Sequence, residues 1–386
     1  MKKTIFIATM LYSASANIEI KSCDDLQKVF DMAQNEYVNA SMHPFADIHC
    51  DNFTTFSLGS GYDIDVFSTD NLDNFYGNAN FVNVRLEIVN GSKITFEPNI
   101  LFENYDEEDP VYHDVNGGAL FIGKDSTVRF LNKFDTKNIG VRSMTEESSD
   151  FANHQNDGGV IHNSGLFEVN GYAKFIRSEN VGGGESSPGK SGGIFNNVTG
   201  SVVFNKGVEF DDISITDDEG NDGAAMYNMG NVHVRGNSKF FNLRAESAGA
   251  IYNDVNATFT FCDGASALFY NCRSSDGVGG SIYNKGNFTF SGPAAFIDCK
   301  SNNDAGAIYQ ASGTMNLSDN SYFFGIQSDG YRSQDAPVVV KNGSEFNFNK
   351  NFVTFVGSEK SYPDENNEVE VLCPGVYYEE NNKCEY

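Results

Sequence analysis

The chain has 386 residues, of which 38 are Gly, 33 are Phe and none is Trp, and its formal net charge is -27 at pH 7. The 40% apolar fraction is enough to build a core, which excludes wholesale disorder. The acidic balance excludes nucleic acid and anionic membrane surfaces as partners, because both require clustered Lys and Arg.

The first residues have the three parts of a signal peptide. Two lysines follow the initiator methionine, an apolar run extends over 5–11, and Ala14-Ser15-Ala16 forms a small-residue cleavage site. We therefore predict that residues 1–16 are removed and that the protein is secreted or lies at the cell surface. The apolar run is too short to span a bilayer, so no membrane insertion is expected after cleavage.

Residues 17–60 are predicted to cap the N-terminal end of the fold. Ser22 and Asp25 have the spacing of a capping box. The residues after them place one apolar face on a helix, consisting of Leu26, Val29, Phe30 and Ala33. This pattern predicts an amphipathic helix over 22–35, which would cover an edge strand at the end of a β structure.

A glycine-rich hexad recurs along the chain with irregular spacing, which suits loops of variable length between fixed strands. Each hexad contains an aliphatic residue, then usually an aromatic residue and an Asn. The aliphatic positions are Leu120, Ile161, Ile194, Met226, Ile251, Ile282 and Ile308. The Asn positions are Asn163, Asn196, Asn228, Asn253 and Asn284.

Two further patterns accompany each hexad. The first is an apolar-x-apolar triplet, the period-two signature of a strand with one buried face. It occurs at 94–96, 128–130, 167–169, 202–204, 232–234, 259–261, 288–290, 315–317 and 346–348. The second centres on an aromatic residue that precedes a polar loop. These residues are Phe102, Phe134, Phe175, Phe210, Phe240, Phe269, Phe296 and Phe323.

Three short strands per repeat predict an all-β fold, a single-stranded right-handed parallel β-helix of about nine rungs over 61–360, with the N-terminal helix as its cap. Equivalent residues should then stack in columns, with aliphatic and Phe columns inside. The Asn residues should form a hydrogen-bonded ladder at a turn. Gly at the start of the hexad suits either a positive φ angle or the close packing of a tight turn.

The cysteines near the two ends are predicted to form disulfides, which export permits. Cys23 and Cys50 lie in the leading segment, and Cys373 and Cys384 lie in the acidic tail over 361–386, which is predicted to cover the C-terminal end. Each pair would close a short loop. Connectivity does not follow from position alone, and one of the seven cysteines is left over.

Two cysteines are predicted to face the interior. Cys272 and Cys299 each lie three residues after an aromatic of the third strand, where the other repeats have apolar residues. They are therefore expected on adjacent rungs. Either both are buried thiols that behave as small apolar groups, or they form a bridge between rungs. Cys262 follows a middle strand and has no predicted partner.

The hexads resemble the repeats of the chlamydial polymorphic outer-membrane proteins, which carry Gly-Gly-Ala-Ile and Phe-x-x-Asn tetrapeptides on a β-helical passenger. The matching segments are Gly249-Ala-Ile-Tyr, Gly280-Ser-Ile-Tyr, Gly306-Ala-Ile-Tyr, Phe167-Glu-Val-Asn and Phe346-Asn-Phe-Asn. The resemblance implies a β-helix with a surface or secreted adhesin-like role. We expect no autotransporter barrel, because no segment of the chain is long enough to form one.

The sequence contains no arrangement typical of a catalytic site. Arg129 and Glu168 would be neighbours on the outward strip of the middle strands and are interpreted as a surface ion pair. Asp211 and Asp212 are adjacent on one strand and therefore point to opposite faces. No catalytic residue is predicted.

The acidic loops before the hexads are candidates for calcium binding, since stacked loops would line up hard oxygen ligands. The candidate ligands are Asp217, Asp218, Asp222 and Asp304. The alternative is that Asp and Asn beside Gly only form turns in solvated loops. We predict no other cofactor. Sequons for glycosylation are present at Asn197, Asn256, Asn287, Asn316 and Asn342.

Two functions compete at this point. The first is a non-enzymatic, adhesin-like β-helical protein that binds glycans or cell-surface proteins through its outward strand faces and loops. The alternative is a polysaccharide lyase or glycoside hydrolase of the parallel β-helix type, acting on acidic polysaccharide near Asp211, Asp217 and Asp222.

Overall fold

The computed structural model describes residues 18–69, 78–103, 111–113, 115–142, 157–181, 190–216, 222–328, 336–349, 352–356, 375–378, 380 and 383–385. The predicted signal peptide over 1–16 and the predicted Cys373–Cys384 pair lie outside this description, since Cys373 is not among these residues and the side chain of Cys384 is not described.

The described residues form a parallel β-solenoid with two long sheets. The first sheet contains the apolar triplets, and its neighbouring strands pair in parallel. Its strands are Ile18–Ile20, Val38–Met42, Asp63–Ser68, Lys93–Phe96, Thr127–Phe130, Leu166–Val169, Ser201–Phe204, Asn231–Val234, Thr258–Phe261, Asn287–Phe290, Thr314–Leu317 and Glu345–Phe348. All nine predicted triplets are strands. Three earlier strands extend the sheet back to Ile18, and two of them, Ile18–Ile20 and Val38–Met42, lie within the segment predicted as a cap.

The second sheet contains three series of strands. The aromatic series is Asp47–Leu58, Ala79–Ile88, Ile100–Glu103, Phe134–Lys137, Ala173–Val181, Val208–Thr216, Ser238–Phe241, Ala267–Tyr270, Ala294–Ile297, Ser321–Phe324 and Val353–Val356. A short series follows it, with Val111–His113, Ile139–Arg142, Arg244–Ala245, Arg273–Ser274, Lys300–Ser301 and Gln327–Ser328. The hexad series is Leu120–Ile122, Ile161–Asn163, Ile194–Asn196, Met226–Asn228, Ile251–Asn253, Ile282–Asn284, Ile308–Gln310, Val338–Val340 and Val376–Tyr378, and Lys383–Glu385 pairs antiparallel with the last.

The predicted N-terminal helix extends over Cys23–Ala33 and begins at its cap Ser22, whose side chain accepts a hydrogen bond from the Asp25 backbone N–H. The predicted apolar face is buried, and Phe30 packs against Phe56 of the first aromatic strand with ring centroids 5.7 Å apart. The helix contacts the first strands of both sheets. Among the described residues, it is too short and too polar to cross a membrane.

The predicted disulfide between Cys23 and Cys50 is confirmed, and it ties the helix to the first aromatic strand. Because it closes a loop with a sequence separation of 27, we expect Cys23→Ser to cost about 2–3 kcal/mol of stability. In a solenoid this loss should stay local to the first rungs. Hydrogen exchange should therefore accelerate over 18–68 and not over 258–317; a uniform acceleration along the chain would contradict the local assignment.

The Asn ladder is confirmed. Each Asn side chain donates through Nδ2 to the side-chain oxygen of the next rung, over 2.7–2.8 Å, from Asn163 to Gln310. Every member is fully buried. The aliphatic hexad residues are buried in an adjacent column, and ring stacking continues in the aromatic column, with Phe240 and Phe269 4.5 Å apart.

One detail of the predicted register is wrong. Phe134 does not occupy the aromatic column. In that rung the column position is Thr136, which pairs with both Phe102 and Phe175. Phe134 lies two residues before Thr136 and pairs with Ile100. The bulky side chain of Phe134 still turns inward, against Phe130 and Phe167. A match by residue type therefore did not detect the shift of two residues.

The start of the hexad shows both roles predicted for Gly, a positive φ angle and close packing against a neighbouring rung. The residue three positions before each aliphatic position has a positive φ, and it is Ser191, Ala248 or Ala305 in some rungs rather than Gly. The next position, such as Gly249, has an ordinary φ but lies against backbone of the following rung. The conformational requirement and the close packing therefore fall on neighbouring residues.

Candidate ligand-binding trough

A left-handed residue bends the second sheet between the aromatic strands and the short strands of the middle rungs. These residues are Asn242 (φ 54), Asn271 (φ 53), Asp298 (φ 52) and Gly325 (φ 65). Asn, Asp and Gly are the residue types that adopt this conformation at the lowest cost. The local sequence therefore specifies a bend that repeats from rung to rung.

Three basic residues follow this bend on adjacent rungs. Arg244 pairs with Arg273, and Arg273 pairs with Lys300, so the three side chains lie side by side. Both arginines are exposed and Lys300 is half-buried, while the next residue of each strand is buried. The alternation therefore directs all three cations outward. We call Arg244, Arg273 and Lys300 the basic row.

An apolar column lies on the other side of the bend. Phe241, Tyr270, Ile297 and Phe324 are in register in the aromatic strands. Tyr270 is 42% exposed and Phe324 is 52% exposed, although large aromatic side chains are usually more buried. We call these four residues the outer aromatic column. It runs parallel to the basic row along the solenoid.

Two adjoining cavities lie along this bend, and together they define what we call the lateral trough. The smaller, of about 230 Å³, is lined by Arg244, Arg273, Ser274, Ser275, Lys300 and Asn302. The larger, of about 410 Å³, is lined by Tyr270, Asn271, Arg273, Asp298, Lys300 and Gln327. Because Arg273 and Lys300 line both cavities, a single extended ligand would contact both.

A chain of hydrogen bonds along the bend orients the central cation. Asn242 donates to the Asp211 carboxylate at 2.9 Å, Asn271 donates to the Asn242 carbonyl at 2.8 Å, and Arg273 Nε donates to the Asn271 carbonyl at 2.9 Å. The partner of the Arg273 guanidinium is thus a neutral amide. This hydrogen bond orients the Arg273 guanidinium without neutralising its charge.

Several basic side chains elsewhere on the lateral surface pair with carboxylates. Glu209 lies between Lys174 at 3.4 Å and Lys239 at 3.2 Å, and Arg129 pairs with Glu168 at 2.7 Å, as the sequence predicts. In contrast, neither Arg244 nor Arg273 has an ion-pair partner among the residues that the structure describes. Like charges on adjacent strands repel. The two arginines of the basic row are therefore positive groups without a described ion-pair partner on an acidic protein, and Lys300 continues their row.

Two partly buried carboxylates lie in another column, before the hexads. The backbone hydrogen bonds from Gly158 to Lys190 and from Ser191 to Asp222 place Asp157, Lys190 and Asp222 on successive rungs. Burial raises the pKa of Asp157 to about 6 and that of Asp222 to about 7, and Glu246 adds to the rise at Asp222. Asp157 Oδ1 is buried without a described hydrogen-bond partner.

The raised pKa of Asp222 predicts a pH-dependent effect of Asp222→Asn. The folded protein keeps this proton up to about pH 7, whereas the unfolded chain releases it near 3.8. The stability that the proton contributes is present at low pH and is lost as pH rises through this window. We expect the variant to match the wild type near pH 4 and to be more stable by about 4 kcal/mol at pH 8.

Thermal unfolding across this pH range measures the difference, with the exposed Asp276→Asn as the control. The control removes one negative charge from the same protein without removing a buried carboxylate. A stability difference between Asp222→Asn and wild type that does not change with pH would contradict the prediction, as would an equal response in the control.

Of the four calcium candidates, the structure describes Asp222 and Asp304, and these two are not brought together. Asp222 and Asp304 lie three rungs apart in their column, which at strand spacing is about 14 Å and too far for one ion. Asp217 and Asp218 lie outside the described residues. Within the part of the chain that is described, no group of three or more His, Cys, Asp or Glu side chains could hold a metal ion.

The aromatic residues of the hexads stack on the outside of their strands. His162 lies between Phe121 and Phe195, with ring centroids 4.8 and 5.0 Å apart, and burial lowers its pKa to about 4. It is therefore neutral at physiological pH and serves as one ring of the stack. Tyr227 and Tyr252 continue the stack at 4.6 Å.

The remaining predicted residues lie apart from the trough or beneath it. Cys272 and Cys299 are fully buried free thiols, in the inward column that the sequence predicts, and Cys262 is also free. Of the sequons, Asn256, Asn287 and Asn342 are exposed, whereas Asn197 and Asn316 are half-buried.

The basic row was missed from the sequence although its signal was present. Arg244, Arg273 and Lys300 each lie four residues after an aromatic of the third strand. Aligning the repeats on that aromatic and examining the fourth position would have placed the three cations in one column. Comparisons of the chain with family models, curated proteins and solved structures find no match.

Proposed function

We propose that this protein is a secreted or cell-surface, adhesin-like β-helical protein that binds glycans in the lateral trough without turning them over. The observation that carries the proposal is the combination of side chains in the trough. Tyr270 offers an exposed ring, Asn271, Ser275 and Asn302 offer hydrogen-bonding groups, and the basic row offers charge. The Cys23–Cys50 disulfide and the predicted signal peptide support export.

The chemistry of sugars fits this lining. A sugar ring has an apolar face that packs against an aromatic ring, and hydroxyl groups at its edge that need hydrogen-bond partners. The trough supplies both, the aromatic ring from the strand residue Tyr270 and the hydrogen-bonding groups from residues beside the short strands. The exposed Asp298 carboxylate, at the bend between the outer aromatic column and the basic row, can accept hydrogen bonds from hydroxyl groups. A protein partner would instead require a larger apolar patch, of several hundred Å².

A glycan array with wild type, Tyr270→Ala and Tyr62→Ala tests the proposal. Tyr62 is a matched control, because it is 43% exposed compared with 42% for Tyr270 and does not line the trough. We expect Tyr270→Ala to weaken binding by about tenfold and Tyr62→Ala to leave it unchanged. An array without bound glycans, or an equal loss in both variants, would reject glycan binding in the trough.

A second function is favoured by Asp157 and Asp222. Two carboxylates with raised pKa on rungs two apart are separated by about 10 Å, near the upper limit of roughly 9.5 Å for inverting glycoside hydrolysis. Such an enzyme would use one as acid and one as base. Release of reducing ends from polygalacturonate by wild type but not by Asp222→Asn would establish hydrolysis and displace the non-enzymatic function.

A further inference from the structure

We propose that the ligand of the lateral trough is a linear anionic glycan that lies along the solenoid axis, with one sugar residue beside each rung. This inference rests on the proposed function and specifies its ligand class. The juxtaposition that carries it is the basic row, which runs parallel to the outer aromatic column on the same rungs.

The charges of the trough argue for an anionic ligand, since three cations and one carboxylate, that of Asp298, line its two cavities. Three cations on successive strands, about 4.8 Å apart, repel one another, and the two arginines have no described ion-pair partner. In contrast, Glu209 lies between Lys174 and Lys239, and Glu168 pairs with Arg129. A ligand with one anionic group per repeat would remove the repulsion and form charge-assisted hydrogen bonds with each cation.

The spacing of the trough argues for an extended chain. Equivalent side chains repeat at strand spacing along the axis, and a linear glycan advances by a similar length for each sugar residue. A chain in this orientation would place each acidic group beside Arg244, Arg273 or Lys300 in turn. Its ring faces would meet Tyr270 and its neighbours in the outer aromatic column. A compact ligand would occupy only one of the two cavities.

The net charge of -27 restricts which polyanions could bind the trough. Long-range repulsion disfavours every polyanion, so a polyanion binds only where its groups reach the cations directly. The hydrogen-bonded amide chain fixes Arg273 in such a position. Nucleic acid, with a stiff and highly charged backbone, is disfavoured by the acidic surroundings. Carboxylated and sulfated glycans share the required chemistry, since both carry periodic anions on a sugar chain.

Binding titrations with polygalacturonate, its fully methyl-esterified form and dextran sulfate test the inference. The methyl ester is a matched ligand, because it keeps the sugar chain and loses the charge. The proteins are wild type, Arg273→Gln, the double variant Arg244→Gln/Arg273→Gln, and Arg235→Gln. Arg235 is an exposed control outside the trough lining, and its loss changes the net charge by the same amount.

We expect wild type to bind at least one of the charged polymers and not the methyl ester. Arg273→Gln should raise Kd about tenfold, the double variant should abolish binding, and Arg235→Gln should bind like wild type. Preference for polygalacturonate identifies carboxylate as the recognised group, and preference for dextran sulfate identifies sulfate. Both results support the inference.

Other outcomes would overturn it, and they separate it from the proposed function. Equal binding of the methyl ester and the acid, lost in Tyr270→Ala, would refute anionic recognition and leave glycan binding intact. Equal weakening by Arg235→Gln and Arg273→Gln would show diffuse charge attraction and refute the trough as the site. Failure to bind any of these polymers or any glycan of the array would reject both proposals.

Discussion

Gly280→Ala is expected to destabilise the solenoid by about 4 kcal/mol or more, among the largest effects of a single added methyl group. A Cβ at this position would lie 2.0 Å from the Gly306 carbonyl oxygen and 2.6 Å from that of Lys300. Both are backbone atoms of the next rung, so neither can rotate away. The strands must separate locally, which breaks the stacking on which each rung depends. Urea unfolding measures the loss.

Gly264→Ala is the matched control, because nothing lies within 4 Å of a Cβ at Gly264. Its φ of +79 still makes Ala unfavourable, so a smaller cost of about 1–2 kcal/mol is expected. Equal losses in the two variants would show that backbone conformation, rather than contact between rungs, decides the effect. Because Lys300 belongs to the basic row, Gly280→Ala should also weaken ligand binding.

Asn228→Ala is expected to cost about 4 kcal/mol, since it interrupts the Asn ladder in the middle of the described rungs. Asn228 donates to Asn253 Oδ1 at 2.7 Å and accepts from Asn196 Nδ2 at 2.7 Å and from the Gly230 backbone N–H at 3.1 Å. These groups are buried, and each one left unpaired costs about 1–3 kcal/mol. Thermal or urea unfolding reports the total.

The control for this variant is Asn231→Ala, which removes an exposed Asn from the same rung. We expect a change within about 0.5 kcal/mol, as for most surface substitutions. If Asn228→Ala and Asn231→Ala had the same small effect, the ladder would be a by-product of stacking rather than a source of stability. A ladder that stabilises the rungs also keeps the spacing of the trough constant.

The fold could be predicted from the sequence because each stacked column of the solenoid favours the same residue type in successive repeats. Ile251, Phe259 and Asn253 recur in equivalent places, since each fills a column that only one residue type fits well. The strands before Asp63–Ser68 lacked the hexad, so their place in the first sheet was not evident. The shift at Phe134 was also missed, because the residue in the aromatic column of that rung is Thr136, and a search for an aromatic residue selects Phe134 instead.

The candidate site was harder to predict, because its residues are far apart in sequence and come together only through the register of the paired strands. Arg244, Arg273 and Lys300 are unremarkable as single surface residues, and only strand pairing places them in one row. The raised pKa of Asp222 similarly arises from burial between rungs, which no local pattern indicates. Asp217 and Asp218 were predicted as calcium ligands only because their loop is rich in acidic residues.

A crystal structure of the protein with an oligogalacturonate, or with a sulfated oligosaccharide if the titrations prefer sulfate, tests the central claim most directly. We predict density for an extended chain in the lateral trough, with anionic groups beside Arg244, Arg273 and Lys300 and a sugar ring over Tyr270. Density over Asp157 and Asp222, or a cleaved product there, would contradict the claim and establish the enzymatic alternative.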